Sequence, residues 1–427
     1  MKSIALRSKN LFGKIKLVTN KAMEKGFVHL LSANFLLQIA GFGGQIFLTR
    51  ILSVEDIGRL KVLQSFLSNL TIIAGLGLNV AILKMCSEKI SIQQKQRLFE
   101  DGFKVTAIFS VLITVLTFII AGFGGFSSDI KINNLMKIYA FQIPFLSISA
   151  YFVAYLQSQK KIHLMSNVQS ISKIVVVIIS ILGAYIYGMT GYIITLVIAL
   201  SLTTLLFVPF IKSELQSIKY KRIDKGLIAK PLKLGSYSFI TNLLGQLILT
   251  FNVLILNYMN VDPKEVGYYG IAQLIITSMM IIPNTLNQLM IPYISEQTDN
   301  RVQIKKMLKK FESRMLMITA LLCTSTFFII PLIMPMIFGK EYVNSVPYFQ
   351  VLVIGLFFWS IYSPKGITLL SIGRVDLNFK VSCISFGFNI ILNFILIYKF
   401  GALGAAIATT ATYFITIFIN RIYFKKV

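Results

Sequence analysis

Amide side chains recur through the apolar parts of this chain at helical spacing. Asn34, Gln38 and Gln45 are four and seven residues apart and fall near one face of a helix. Asn69 and Asn79 follow, then Asn242, Gln246, Asn252 and Asn257, then Gln273, Asn284, Asn287 and Gln288. An amide both donates and accepts, so walls of amides suit a ligand rich in hydroxyl groups. These segments are expected to line a cavity. Asn389 and Asn393, four apart, are instead expected to join helices by hydrogen bonds worth about 1 kcal/mol each. Four cations could meet a phosphate: Arg50, Lys61, Lys84 and Lys365. Lys365 follows Trp359, Tyr362 and Pro364, where a proline loosens the helix and aromatics can stack on a sugar face. An interfacial aromatic belt and a lysine snorkelling to headgroups would give the same pattern. The candidate ligand-binding set is therefore Arg50, Lys61, Lys84, Lys365, Asn34, Gln38, Asn242, Gln246, Asn252 and Gln273.

Other chemistry is poorly provided for. Cys86, Cys323 and Cys383 have no disulfide or metal spacing and read as packing residues; His29 and His163 belong to no ligand pattern. No metal site, cofactor or catalytic residue is expected. The 16 Asp and Glu fall in loops or at the ends of apolar runs. Ion-coupled transporters usually bury a carboxylate, so coupling here would need amides and carbonyls to hold the ion.

These residues lie on a chain of 427 residues, 56% hydrophobic, whose apolar residues come in runs of about twenty, the length that crosses a bilayer as a helix. The expected spans are 27–49, 61–83, 103–125, 134–157, 170–187, 190–211, 234–258, 267–292, 313–337, 346–370, 379–397 and 401–420. The net charge of +26 gathers in the N-terminus and in segments 84–104, 158–173, 212–233, 296–314, 371–380 and 421–427. By the positive-inside rule these face the cytoplasm, as do both termini, and nucleic acid is not needed to explain the charge. The segment before Phe27 reads as a basic helix on anionic lipid rather than a cleaved signal.

The chain repeats itself. A slide of 213 residues lays Lys161-Ile162-His163-Leu164 on Arg374-Val375-Asp376-Leu377, Ser172 on Ser385, Gly188 on Gly401 and Gly191 on Gly404. A slide of 209 lays Val54-Glu55-Asp56-Ile57-Gly58 on Pro263-Lys264-Glu265-Val266-Gly267, and Gln64 on Gln273. These pentapeptides are expected to join the first two helices of each half on the outer side. Six spans per half is even, so the halves are parallel repeats about an axis along the membrane normal, with a cleft that rocking can open to either side. The expected organisation is a basic segment 1–26, six-helix bundles at 27–211 and 234–420, a basic linker 212–233 ending in Lys230-Pro231, and a tail 421–427. Residues 188–191 and 401–404 are expected to be tight turns, and Gly404 to Ala408 a small-residue packing face.

Arg50-Ile51-Leu52-Ser53-Val54-Glu55-Asp56-Ile57-Gly58 resembles the first outer loop of Wzx-type polysaccharide flippases. Phe338-Gly339-Lys340-Glu341-Tyr342 resembles their loop after helix 9. Gly373-Arg374, Asn389, Asn393 and Gly401 through Thr409 resemble their C-terminal signature. The superfamily includes multidrug (MATE) exporters and lipid II flippases, and the motifs do not name a substrate. The resemblance implies an all-α integral membrane protein of about twelve helices, two bundles around a central cavity. It also implies a transporter and not an enzyme. Its cargo would be an undecaprenyl-diphosphate-linked oligosaccharide, moved across a bacterial inner membrane for O-antigen, lipopolysaccharide or capsule-type synthesis beside a polymerase and a chain-length regulator. An ion-coupled drug exporter of the same fold is the alternative, though it would be expected to bury an acid in helix 1 or its repeat partner. A polymerase or glycosyltransferase would need longer outer loops than this chain has.

Overall fold

The computed structural model describes residues 27–88, 90–212, 214, 225–295 and 301–425. The basic segment 1–26 and half of the linker, 213 and 215–224, lie outside these residues. The described chain is helical: α1 Phe27–Ile51, α2 Val54–Gly75, α3 Leu78–Ser87, α4 Ile92–Gly122, α5 Ile130–Tyr139, α6 Gln142–Ser158 and α7 Ile162–Leu205. The second half gives α8 Lys225–Tyr258, α9 Pro263–Met279, α10 Ile281–Ser295, α11 Arg301–Phe338, α12 Val346–Ser371 and α13 Val375–Phe424.

Local chemistry starts these helices. Ser53 caps α2 by accepting from the Asp56 amide, with Glu55 and Asp56 in the positive first turn. Asp262 caps α9, and Pro263 supplies its preset φ at the first position. The two repeated pentapeptides are thus the first turns of helices, not loops. Ser91 and Gln94 form a reciprocal capping box on α4. Leu76 and Gly77 are both left-handed, which breaks the expected second span into α2 and α3, bent by 45°. α5 and α6 form a similar pair, bent by 44°. α8 begins at Lys225, so Pro231 lies within a helix and the linker is shorter than expected.

α7 and α13 are hairpins. The helical trace breaks at Gly188 (φ 61°) and at Gly401 (φ 55°), a conformation that only glycine adopts readily. The arms then fold together: a methyl placed on Gly183 would lie 2.0 Å from the Thr195 hydroxyl, and one on Gly404 2.0 Å from the Leu396 carbonyl oxygen. The turn, the kink and its place in the hairpin recur 213 residues apart, as the sequence predicts.

Among the described residues six helices are long and apolar enough to cross a membrane, or eight if each bent pair is one span. Two of these are hairpins and cross twice. With α1 and α8 the arrangement comes close to twelve spans in two six-helix repeats. The polarity is that of a lipid-embedded protein. On α4, Ile108, Val111, Leu112, Val115 and Ile119 are exposed, while Thr106, Ser110, Thr114 and Thr117 are buried. Three of the buried hydroxyls are satisfied within the helix, Ser110 donating to the Ala107 carbonyl at 2.9 Å, Thr114 to that of Ser110 at 2.7 Å and Thr117 to that of Ile113 at 2.7 Å.

Candidate functional site

The two repeats meet along a seam where α2 packs on α8 and α9. At one end the seam is shut. α2 and α9 cross at Gly58 and Gly267: a Cβ on Gly58 would lie 1.9 Å from the Pro263 carbonyl oxygen, and one on Gly267 2.4 Å from that of Val54. Lys264 pairs with Glu55 across the crossing at 3.1 Å. Beside it Asp56 holds Arg59 (3.0 Å) and Lys131 (2.8 Å), and Arg59 reaches Asp129 at 2.7 Å. Burial alone would raise the Asp129 carboxyl, but hydrogen bonds from Arg59 and the Lys131 amide hold it below the usual carboxylate range. Asn257 ties the halves again, donating to the Phe126 carbonyl (2.7 Å) and accepting from Ser127 (2.7 Å).

Arg50 belongs to this closed end. Its guanidinium donates to the main-chain carbonyls of Ile337 (3.0 Å) and Met336, which the end of α11 leaves without helical partners. Lys61, one turn along α2 from Gly58, lies against Gly270 of α9, where a Cβ would come within 2.6 Å of its Cγ. It is half-buried and has no acceptor among the described residues. Further along, Gln246 donates to Ser68 at 3.1 Å and Asn69 to Thr250 at 2.9 Å, both across the seam. Gln273 donates to the Leu249 carbonyl at 2.8 Å. Asn242 is exposed and shares a small recess with Asn79, Thr71 and Thr106.

The remaining candidates scatter. Gln38 is half-buried on α1, and the side chain of Asn34 lies outside the described residues. Lys84 is exposed at the end of α3. Lys365 is neutralised by Glu312 of α11 at 2.7 Å. Asn252, 2% exposed, faces its own half: it donates to Tyr269 (2.9 Å) and Thr409 (2.6 Å) and accepts from Asn393 (2.7 Å). Asn389 donates to Thr412 at 3.1 Å, so Asn389 and Asn393 join helices as expected. Glu312 and the buried Asp101 each precede the apolar stretch of a helix that starts earlier than its apolar run.

Each repeat also has a cavity of its own, to which the amides Gln45 and Asn79 of the first repeat and Asn284 and Asn287 of the second contribute. The first, about 650 Å³, is lined only by residues of α1 to α7 and the short turn after α7, with six amides, Gln45, Gln64, Asn79, Gln142, Gln157 and Gln169, and one charge, Lys173. The second, about 220 Å³, lies among α8, α10, α12 and α13. The slide of 213 relates them: Leu146, Ser149, Gln157, Ser172, Lys173 and Thr203 fall on Trp359, Tyr362, Leu370, Ser385, Phe386 and Thr416, all of which line the second. The sequence did carry a signal for the first wall. Gln169, Ser172, Lys173 and Val176 hold one helical face, across the overlap of the basic segment 158–173 and the expected span 170–187.

A two-repeat bundle of paired hairpins, with a polar seam and a cavity in each repeat, is the build of a membrane transporter. The family described as polysaccharide biosynthesis protein matches residues 23–298, and the chain belongs to it. The uncharacterized membrane protein MJ1068 of Methanocaldococcus jannaschii is 24% identical over 95% of this chain and 84% of its own length. The capsular polysaccharide biosynthesis protein CapF of Staphylococcus aureus is 24% identical over 34% of this chain and 38% of its own. Among solved structures, lipid II flippase MurJ in an inward closed conformation superposes with a TM-score of 0.77 at 19% identity, covering 93% of this chain and 87% of that one. An inward-facing multidrug resistance MATE family transporter gives 0.69 at 12%, covering 91% and 94%. These neighbours are transporters, not enzymes, and at such identity they establish the shared fold.

Proposed function

We propose that this protein is a flippase that carries an undecaprenyl-diphosphate-linked oligosaccharide repeat unit from the cytoplasmic to the outer leaflet of a bacterial inner membrane. The seam between the repeats is the moving part, and alternating access is the mechanism. The unpaired Lys61, held between α2 and α9 with the Ser68–Gln246 and Asn69–Thr250 bonds further along, is the observation that carries this reading. Polar bonds between helices are weak, about 0.6 kcal/mol on average in a membrane, and part readily once water or hydroxyls replace them.

The cytoplasmic placement of the basic segments puts the Arg50 end outside. The shut crossing of Gly58 and Gly267 then makes this a form closed to the outside. A diphosphate entering from the cytoplasm would pass Lys84 before it reached Lys61 deeper in the seam. Arg50 and Lys365 would join only if opening released their present partners. An inside-negative potential favours outward movement of an anion by about 2.3 kcal/mol per charge per 100 mV. The glycan products we assign are of the O-antigen or capsule type, with a polymerase and a chain-length regulator as neighbours, anionic lipid around the basic segments and both termini in the cytoplasm.

The test is complementation of a deletion strain. Alanine at Arg50, Lys61, Lys84 and Lys365 together should abolish surface glycan, with lipid-linked repeat units accumulating and the protein still inserted. Lys61→Ala alone should give most of that loss. Normal surface glycan from the quadruple variant would sink the reading.

A further inference from the structure

The cavity inside the first repeat is not part of the seam, and the flippase reading gives it no task. Its one charge, Lys173, is the twelfth residue of α7. At the helical rise that is roughly 16 Å from the helix start and roughly 22 Å from the turn at Gly188, near the middle of the span. The side chain crosses to α1, where a Cβ on Gly41 would lie 3.6 Å from Cε and 3.8 Å from Nζ. Among the described residues no carboxylate lines this cavity and Lys173 has no acceptor. An ionised lysine in the middle of a membrane span is costly unless something answers its charge.

Neighbouring polar atoms are also without partners. Gln142, 2% exposed and beside Tyr139, has no acceptor in hydrogen-bonding geometry for its amide nitrogen. The Gln45 side-chain oxygen and the Ser172 hydroxyl are buried without partners as well. The fold does not require the lysine. In the equivalent cavity of the second repeat its place is taken by Phe386, stacked edge-on to Phe251 at 5.2 Å. A volume of about 650 Å³ is within the roughly 300–1,000 Å³ of small-molecule sites.

We propose that the first repeat holds an anion site of its own, in which Lys173 receives the carboxylate or phosphate of an acidic sugar and the surrounding amides take its hydroxyls. A mid-membrane cation with no internal counter-charge calls for an anionic occupant. Amides that both donate and accept call for one bearing hydroxyls. Neither need exists in the second cavity at the position of Phe386, so the site is built into one repeat only. The inference does not need the transport reading, because binding is measured apart from transport.

The experiment is calorimetry on the full chain in lipid nanodiscs, with glucuronate, glucose 1-phosphate, glucose, inorganic phosphate and pyrophosphate as probes. Both sugar acids should bind, and glucose, phosphate and pyrophosphate should bind at least about tenfold more weakly, a difference of about 1.4 kcal/mol. Lys173→Gln should weaken the sugar acids by about tenfold or more and leave glucose unchanged, as expected for loss of one charge-assisted contact. Lys173→Arg should retain binding, which separates loss of charge from loss of fold, and Lys399→Gln at an exposed position should change nothing. The proposal is overturned if no probe binds, if Lys173→Gln binds the sugar acids as wild type does, or if phosphate or pyrophosphate matches them. Loss of surface glycan in cells with intact binding in nanodiscs would bear on the transport reading alone.

Discussion

Lys173 and Phe386 occupy the same place in two copies of one design. Among the described residues, six amides and no acid lie around Lys173, and Trp359, Tyr362 and the five amides Asn284, Asn287, Asn378, Asn389 and Asn420 lie around Phe386. The second cavity turns its amides on its own helices: Asn287 donates to Ser363 at 3.1 Å and Asn389 to Thr412 at 3.1 Å. Each also leaves buried amide atoms unanswered, at Gln45 and Gln142 in the first and at Asn287 and Asn420 in the second. One backbone plan thus supports a smaller cavity with an aromatic ring at this position and a larger one with an ammonium. The difference teaches that Lys173 is not holding the fold, since the second repeat folds alike with a phenylalanine in its place.

The contrast can be broken most sharply from the second repeat. Phe386→Lys would place an ammonium beside Phe251 with no prepared partner, and we expect a loss of about 3 kcal/mol, read as a clear fall in Tm. An unchanged Tm would mean that the two cavities tolerate charge equally and that Lys173 needs no special account. A smaller effect is expected at Asn252. Asn252→Ala strips Asn393, Tyr269 and Thr409 of a shared partner and should cost about 1–2 kcal/mol of thermal stability. If Asn252→Ala instead left stability intact and impaired surface glycan, Asn252 would return to the cavity wall expected from its spacing. The smallest effect sharpens the contrast from the other side. Gln142→Leu removes an amide that has no acceptor and should be neutral, or stabilising by up to about 1 kcal/mol, in ligand-free protein. A loss as large as that of Asn252→Ala would show that Gln142 already serves the fold.

Much of the architecture could be read before any coordinates. Gly188 and Gly401 declare their turns because no other residue settles easily at positive φ, and the slide of 213 that joins them also joins the two cavities. Asn389 and Asn393 declare their role because four residues bring both onto one buried face. The break at Leu76 and Gly77 was hidden, since a left-handed leucine is set by packing and not by local preference. Amide direction was hidden too. Asn242, Gln246 and Asn252 share α8 yet face a recess, the seam and the core of their own half, a choice made by partners far along the chain. Lys173 is hard to place from sequence because it falls where the basic segment 158–173 overlaps the expected span 170–187, and a lysine at such an edge reads as one of the cytoplasmic charges.

Arg50 grips the second repeat by main-chain oxygens at Met336 and Ile337. Side chains at 336 and 337 can therefore drift without loosening that clasp, because every residue type carries the same carbonyl. Position 50 has no such latitude: a lysine there would bring a point charge in place of a planar fork. The latch between the two repeats is written in one residue on one side and in the bare polypeptide on the other.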